Sequence, residues 1–570
     1  MTKPLVTLVN PNKIHPAITP YALDILTTSL EQAGFTVEVL DLTFRRDHWQ
    51  QAVREYFADR APLLVGVTIR NTDTIYPQEQ RVFLGEHREV VEEIRRATTA
   101  PIVAGGVGFS SMPFAAVDYL GVDYGVKGPG ETIICQLASA LLHSGSPEVP
   151  GLIINRGDKR VERIPVDAPA AGNRLLTLAG YGESRAWQAN KVTSYARRSG
   201  DPLKVDNAEY YRRGGLGNIL TKNGCPFACS HCVEPDAKGN RFALRGVAAV
   251  VDEMEALTEQ GVHDLHTTDS EFNLAIANSK AVLREIARRR GRDASSPLNR
   301  MRLWVYSQPA PFDEEFADLL AAAGCAGVNV APDHVRDDLL NGWKVTEKGT
   351  RYYTFDDLVN VVERTRKRDM LCMIEVLLGM PGENIGTLRE CIDRTMALDA
   401  TVVGFTLGLR IFPYSPLGMW CAAQSNGVRP VPGVQSNTAT QPIILRPSEQ
   451  CASPLEYERQ FMFEDPETFR PLYYFSPELP EDPETIARPD GRWHNTLRFM
   501  WDHIPAKDHH RVMLPTAPGL SEHDNNYADN PFLTGLVQLG YKGAFWSRWR
   551  DREAILRQAV ERGITTAPSA

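Results

Sequence analysis

Over the first 150 residues, short runs of valine, isoleucine and leucine alternate with stretches whose apolar positions recur every three or four residues. VTLVN (6–10), FTVEVLDL (35–42), LLVGVTI (63–69), PIVAGGV (101–107) and DYGVKG (123–128) predict strands, and the intervening pattern predicts helices near 20–33 and 84–97. Such alternation builds parallel strands joined by right-handed crossovers, so residues 1–150 predict an α/β domain with a doubly wound parallel sheet. Ligands of these sheets bind beyond the carboxyl ends of the strands. Here those ends carry Asn10, then Arg70 and Asn71, then Gly105, Gly106 and Gly108, and finally Gly128 and Glu131.

Residues 151–210 have little periodicity and read as a connector. A second series follows, with strand-like ILTKNG (219–224), DLHTTD (264–269), LWVYSQ (303–308), GVNVAPD (327–333), CMIEVLLG (372–379) and VVGFTLGLRIFP (402–413), each separated from the next by a helical stretch. Six such units over 211–415 predict a partial (βα)6 barrel, with its chemistry again at the strand carboxyl ends. From 416 to 570 the rhythm gives way to proline- and aromatic-rich segments, including Trp493, Trp501, Trp546 and Trp549. A smaller C-terminal α+β domain that caps the barrel and meets the substrate is expected there.

At 570 residues the chain exceeds one hydrophobic core, and three or four domains are expected. No stretch approaches the roughly 20 apolar residues that cross a bilayer. The opening MTKPLVTLVNPNK enters a strand without an apolar leader, so a cytoplasmic enzyme with no membrane partner is expected. A net charge of -9 without a basic stripe argues against nucleic acid as a partner. Six of the nine cysteines stand alone, mostly in apolar segments, as buried small hydrophobes do.

The other three form Cys225-Pro-Phe-Ala-Cys229-Ser-His-Cys232, directly after the first barrel strand. Three thiolates on one loop can ligate three irons of a 4Fe-4S cluster and leave the fourth iron open. The other reading is zinc. A closed zinc site needs four ligands, usually from two separated cysteine pairs, and His231 sits awkwardly between two of the cysteines.

This motif on this strand resembles the radical S-adenosylmethionine (SAM) superfamily, with His231 where an aromatic residue is usual. Together with VGVTIRNTD (65–73), AGGVGFSSMP (104–113), GVKGPGE (125–131), GGLGNILTKNGCP (214–226), TTDSEFN (267–273) and YYFSP (473–477), the chain resembles the cobalamin-dependent radical SAM methyltransferases. The resemblance implies three cofactors: a 4Fe-4S cluster, SAM and cobalamin, the last as methylcobalamin. It implies that Asn10, Arg70, Asn71 and the glycine-rich strand ends hold cobalamin. Ser307, Gln308 and Asp333 are expected to hold SAM. Arg410 is expected either to meet a carboxylate or to form a structural ion pair.

Other cobalamin enzymes supply a cobalt-binding histidine from an Asp-x-His-x-x-Gly motif, which is absent here. Arg70 or Asn71 becomes the expected neighbour of cobalt. Arg70 and Glu271 resemble residues of family members that methylate C2 of tryptophan, which implies a small-molecule substrate, L-tryptophan, and polar methyl transfer. Glu271 is expected either at the cluster or on the amino group of SAM, and Tyr306 is expected as a further catalytic residue. Radical methylation of an sp3 carbon or a phosphorus centre is the alternative chemistry, and a cobalamin sensor or carrier the non-enzyme alternative. A methylthiotransferase needs three further cysteines, whereas the first 224 residues contain only Cys135.

Overall fold

A computed structural model describes residues 3–14, 16–78, 81–143, 145, 147–165, 205–344, 353–436, 438–439, 441–479, 494–515 and 531–564. Most of the expected connector, together with Trp493, lies outside the described residues.

The N-terminal half is a seven-stranded sheet of β1 (Leu5–Asn10), β2 (Thr36–Asp41), β3 (Leu64–Thr68), β4 (Ile102–Gly105), β5 (Tyr124–Val126), β6 (Leu152–Asn155) and β7 (Val161–Arg163). Their order is β2-β1-β3-β4-β5-β6-β7, and the first five run parallel, as the alternation predicts. β6 and β7 are antiparallel and close the edge within the span expected as connector. At four and three residues they are too short to leave a periodic signature, and a turn with Gly157, Asp158 and Lys159 at positive φ joins them. Crossovers leave β1 in opposite directions to β2 and β3, so the crevice of this sheet opens between the ends of β1 and β3.

The second half begins with β8 (Gly217–Ile219) and the short antiparallel pair β9 (Lys222–Asn223) and β10 (Ala243–Leu244). Then follow β11 (Asp264–Thr267), β12 (Arg302–Ser307), β13 (Cys325–Asp333), β14 (Leu371–Leu378) and β15 (Val402–Leu407). β8 and β11–β15 are the six expected parallel strands, in sequential spatial order. Beyond β15 the sequence pattern runs on through 413, but the backbone turns at Gly408, at φ 90°, and β16 (Leu409–Arg410) leaves the barrel. It joins β17 (Val434–Gln435) and β18 (Tyr473–Tyr474) in a separate sheet. A seventh parallel barrel strand, β19 (Val512–Met513), comes from the C-terminal segment and pairs with β15.

The described parts of 416–570 are shared among three cores. Leu417, Phe461 and Leu472 pack with Val67, Phe109 and Phe114 of the first half. Leu497, Met500 and Leu514 join the barrel core. Phe532, Trp546 and Trp549 pack on Trp304 and Val402 at the amino-terminal end of the barrel. Burial of these apolar faces, at about 25 cal/mol per Å2, ties the last segment to both halves.

Polar contacts reinforce the join. Arg410 Nε donates to Asp73 Oδ2 at 3.1 Å with both side chains buried, and Lys127 Nζ donates to Asp236 Oδ1 at 2.8 Å. Glu458 accepts from the Ala115 N–H at 2.8 Å and from the Tyr414 hydroxyl at 2.6 Å. The carboxyl ends of the two sheets thereby face one shared space.

Candidate active site

That space is a cavity of about 880 Å3. From the first half it is lined by Asn10, Asn12, Arg70, Asn71, Gly105, Gly106, Gly128 and Glu131. From the barrel come Cys225, Cys229, Cys232, Glu271, Tyr306, Gln308 and Asp333. Three of the expected site residues do not line it. Gly108 lies behind the Arg70–Asn71 loop, Ser307 is buried with its hydroxyl on the Gln308 carbonyl at 3.1 Å, and Arg410 is spent on Asp73 and on the carbonyls of Ile411, Phe461 and Leu472. Arg410 therefore takes the structural ion-pair alternative, with Asp73 as its buried counter-charge; Nη2 is the one nitrogen of the guanidinium left without a partner among the described residues.

The glycines act mainly on the protein's own backbone. A Cβ on Gly106, at φ 112°, would stand 2.5 Å from the Ile69 carbonyl oxygen, and one on Gly108 would stand 2.7 Å from Asn71 Cα. The Gly108 N–H donates to the Arg70 carbonyl at 2.9 Å. Only glycine lets the helix Val107–Ser111 press against the loop after β3, and this pressing sets where Arg70 and Asn71 project. Arg70 Nη1 donates to Asn71 Oδ1 at 2.6 Å, so the pair presents a single polar unit to the cavity. Asn10 is committed to Asp41, Thr43 and Tyr210, and shapes the crevice wall.

The cysteine loop runs from β9 into the helix Glu234–Lys238. Cys225 and Cys229 are buried around Phe227, with Cys232 and Leu274 packed against them. Burial pushes the Cys225 thiol up to about 11 and those of Cys229 and Cys232 higher than usual as well. A bound metal must displace those protons. Among the described residues no three His, Cys, Asp or Glu side chains converge on a single ion. Three thiols of one short loop that share an apolar pocket suit a cluster, where each binds its own iron.

Beside them Glu271 has φ 63° and ψ 106°, a sparsely populated conformation for a residue with a side chain. Its Oε1 accepts from Gln308 Nε2 at 2.8 Å, Oε2 is buried without a partner, and desolvation raises its pKa to about 7. Asp333, at φ 60°, pairs with Lys344 at 3.0 Å. Tyr306 lies edge-on to His266, with ring centroids 4.9 Å apart.

The unpartnered buried atoms Glu271 Oε2, Gln308 Oε1 and Asn329 Oδ1 are all acceptors, and all three residues line the cavity. A ligand rich in N–H and O–H donors completes them, as the ammonium and ribose of SAM would. Lys344, His266 and Asn329 escaped the sequence reading. The polar Asn329 at a mid-strand position was the available signal. Trp304, Leu533, Leu536 and Trp546 form the apolar floor, so the C-terminal segment reaches the cavity from below.

The Radical SAM superfamily model matches residues 219–395 and the B12 binding domain model matches residues 9–138. The tryptophan 2-C-methyltransferase of Streptomyces laurentii is 58% identical over 98% of this chain and 98% of its own length. The structure of radical S-adenosylmethionine methyltransferase TsrM from Kitasatospora setae with cobalamin and 4Fe-4S cluster bound superimposes with a TM-score of 0.91. It is 61% identical and covers 99% of this chain and 100% of that one. The same enzyme with tryptophan substrate and the SAM analogue aza-SAM gives a TM-score of 0.90 at 60% identity, over 98% of this chain and 99% of that one.

Proposed function

This chain belongs to the family of tryptophan 2-C-methyltransferases, cobalamin-dependent enzymes of the radical SAM superfamily, and on that premise we propose that it methylates C2 of L-tryptophan by polar methyl transfer. One observation carries the reading: a single cavity joins the strand ends of both halves, with Arg70 on one side and the cysteine loop and Glu271 on the other.

Cys225, Cys229 and Cys232 would hold the cluster, and Asn71, Gly105, Gly128 and Glu131 would border cobalamin. When bound, cobalamin supplies a methyl group of cation character, and SAM is the source from which that methyl group is replenished. Arg70 brings a permanent positive charge and no lone pair to offer cobalt. A fixed cation at that place would disfavour the higher oxidation states of bound cobalamin and so would favour release of a methyl cation. Glu271 brings the opposite property to the cluster side, an unpaired carboxylate oxygen suited to an open iron. A carboxylate on that iron would keep SAM from the chelation that precedes reductive cleavage. Tyr306 and the apolar floor would border the indole. No helix among the described residues is long and apolar enough to cross a membrane. We further infer a cytoplasmic location, where nine free cysteines stay reduced.

The test is anaerobic reconstitution with iron, sulfide and cobalamin, followed by assay with methyl-labelled SAM and L-tryptophan. The expected product is 2-methyltryptophan with far less than one equivalent of 5′-deoxyadenosine. Stoichiometric 5′-deoxyadenosine overturns the polar route, and absence of labelled 2-methyltryptophan overturns the substrate.

A further inference from the structure

Lys222 on β9 stands three residues before Cys225, and its side chain is wholly buried. The ammonium lies 5.4 Å from the centroid of the Phe242 ring and 3.9 Å from the Asp269 carboxylate, and it donates to the Ser270 carbonyl at 3.1 Å. That carbonyl belongs to the peptide bond joining Ser270 to Glu271. Among the described residues no other group donates to it.

The loop that leads to Glu271 is fastened to the strand that leads to the cysteines. The Asp269 carboxylate accepts from the Thr221 N–H at 2.7 Å, from the Thr221 hydroxyl, and from the Lys222 N–H at 3.3 Å. The Lys222 side chain carries this fastening one residue further, to Ser270. On the other side of Glu271, its own carbonyl accepts from the Leu274 N–H at 3.3 Å. Both peptides that flank Glu271 are therefore held, and the rotation between them is the φ of 63° and ψ of 106°. A residue with a side chain stays in such a conformation only where its surroundings over-determine it. The Leu274 bond closes a short turn that travels with Glu271, whereas Lys222 ties it to a separate strand through a charged and hence stronger donor. A relaxed, negative φ would carry the Cα–Cβ bond through roughly a third of a turn relative to the Ser270 peptide. The carboxylate would then leave the place where Gln308 meets Oε1 and Oε2 stays unpaired.

We propose that Lys222 is a positioning residue for the carboxylate at the cluster: through the Ser270 carbonyl it holds Glu271 in its strained conformation and keeps Oε2 at the open iron. This role rests on the proposed place of Glu271 at the cluster and deepens it. Lys238 carries the same charge at the other end of the cysteine loop. It pairs with Glu234 at 2.8 Å and donates to the Thr268 carbonyl at 3.1 Å, three residues before Glu271. Removing Lys238 takes away a cation without releasing the peptide that precedes Glu271.

The experiment combines iron content, Mössbauer spectra with and without SAM, and 5′-deoxyadenosine release under reducing conditions. It compares the anaerobically reconstituted wild type with Glu271→Ala, Lys222→Met, Lys238→Met and the double variant Lys222→Met with Glu271→Ala. In the wild type the iron without a cysteine should be distinct from the three thiolate-bound irons and unaltered by SAM, and in Glu271→Ala it should respond to SAM. Lys222→Met should keep its iron, acquire the SAM response, and release at least about tenfold more 5′-deoxyadenosine than the wild type. Lys238→Met should resemble the wild type. In the Glu271→Ala background Lys222→Met should add nothing, because no carboxylate is left to place. A wild-type spectrum in Lys222→Met overturns the assignment, and so does loss of iron, which gives Lys222 to the cysteine loop itself. Equal release by Lys222→Met and Lys238→Met, or a further rise in the double variant, overturns it too, since charge or general loosening then accounts for the effect. A wild-type iron that already responds to SAM removes Glu271 from the cluster and takes the role of Lys222 with it.

Discussion

Gln308 donates from Nε2 to Glu271 Oε1 at 2.8 Å and leaves the second carboxylate oxygen buried without a partner, on a residue whose backbone is itself held at φ 63°. A strained backbone, a lone hydrogen bond and an orphaned oxygen together mark a side chain positioned for a ligand. Glu271→Ala is expected to keep its iron, to lose methylation by more than about a hundredfold, and to release 5′-deoxyadenosine from SAM under reducing conditions. Chromatographic quantification of both products checks it, and an alanine variant that still makes no 5′-deoxyadenosine sinks the idea that Glu271 guards the cluster.

Arg70 hydrogen-bonds Asn71 at 2.6 Å and meets the cavity with a planar cation. Lysine keeps the charge but loses the fork. Arg70→Lys should therefore bind cobalamin normally and turn over about tenfold more slowly or worse. In the wild type, electron paramagnetic resonance of cob(II)alamin should lack nitrogen superhyperfine splitting from an axial ligand. Unchanged kcat in the variant, or such splitting in the wild type, contradicts the assignment of the cobalt neighbour.

Lys127 and Asp236 form a buried pair, 3% and 6% exposed, between the end of β5 and the helix that follows Cys232. Removing one member takes a buried counter-charge from the other, at a cost of about 3–5 kcal/mol, while an apolar pair of similar volume is often close to neutral. Lys127→Met should lower the urea midpoint sharply, and Lys127→Met combined with Asp236→Leu should recover most of it. A double variant no better than the single one indicates that the two charges act separately.

His87 sits beneath the Arg70–Asn71 loop, where burial lowers its pKa to about 3. The unfolded chain takes up a proton below about pH 6.5, whereas the folded chain does not until near pH 3. The unfolded state then binds more protons, so stability is complete above pH 6.5 and is lost as pH falls through that window, by up to about 1.4 kcal/mol per unit for this one group. His87→Gln should flatten that part of the profile relative to the wild type, read from urea unfolding between pH 7 and 4.5. Parallel profiles for the two proteins are the opposing result.

Several features were legible in the sequence for local physical reasons. The βα rhythm yields both parallel sheets because the placement of apolar residues along a segment decides whether it can bury a strand face or a helix stripe. The spacing of Cys225, Cys229 and Cys232 fits a cluster because three ligands on one short loop need no distant partner. Strand-end residues such as Arg70, Asn71 and Gln308 were found because parallel sheets place their ligands there.

Only the tertiary structure decided what those side chains do. Arg410 has the same local sequence whether it meets a ligand or a buried aspartate, and its partner Asp73 is 337 positions away. Asn329 looks like a misplaced polar residue within a strand until the fold places it on the cavity wall. The C-terminal segment shows no rhythm because its short pieces complete cores begun elsewhere, with β19 on the barrel edge and Trp546 against Trp304. Local pattern fixes the elements since neighbours in the chain share one surface. Partners hundreds of residues apart are set by how finished elements dock, and that docking makes one cavity from two sheets.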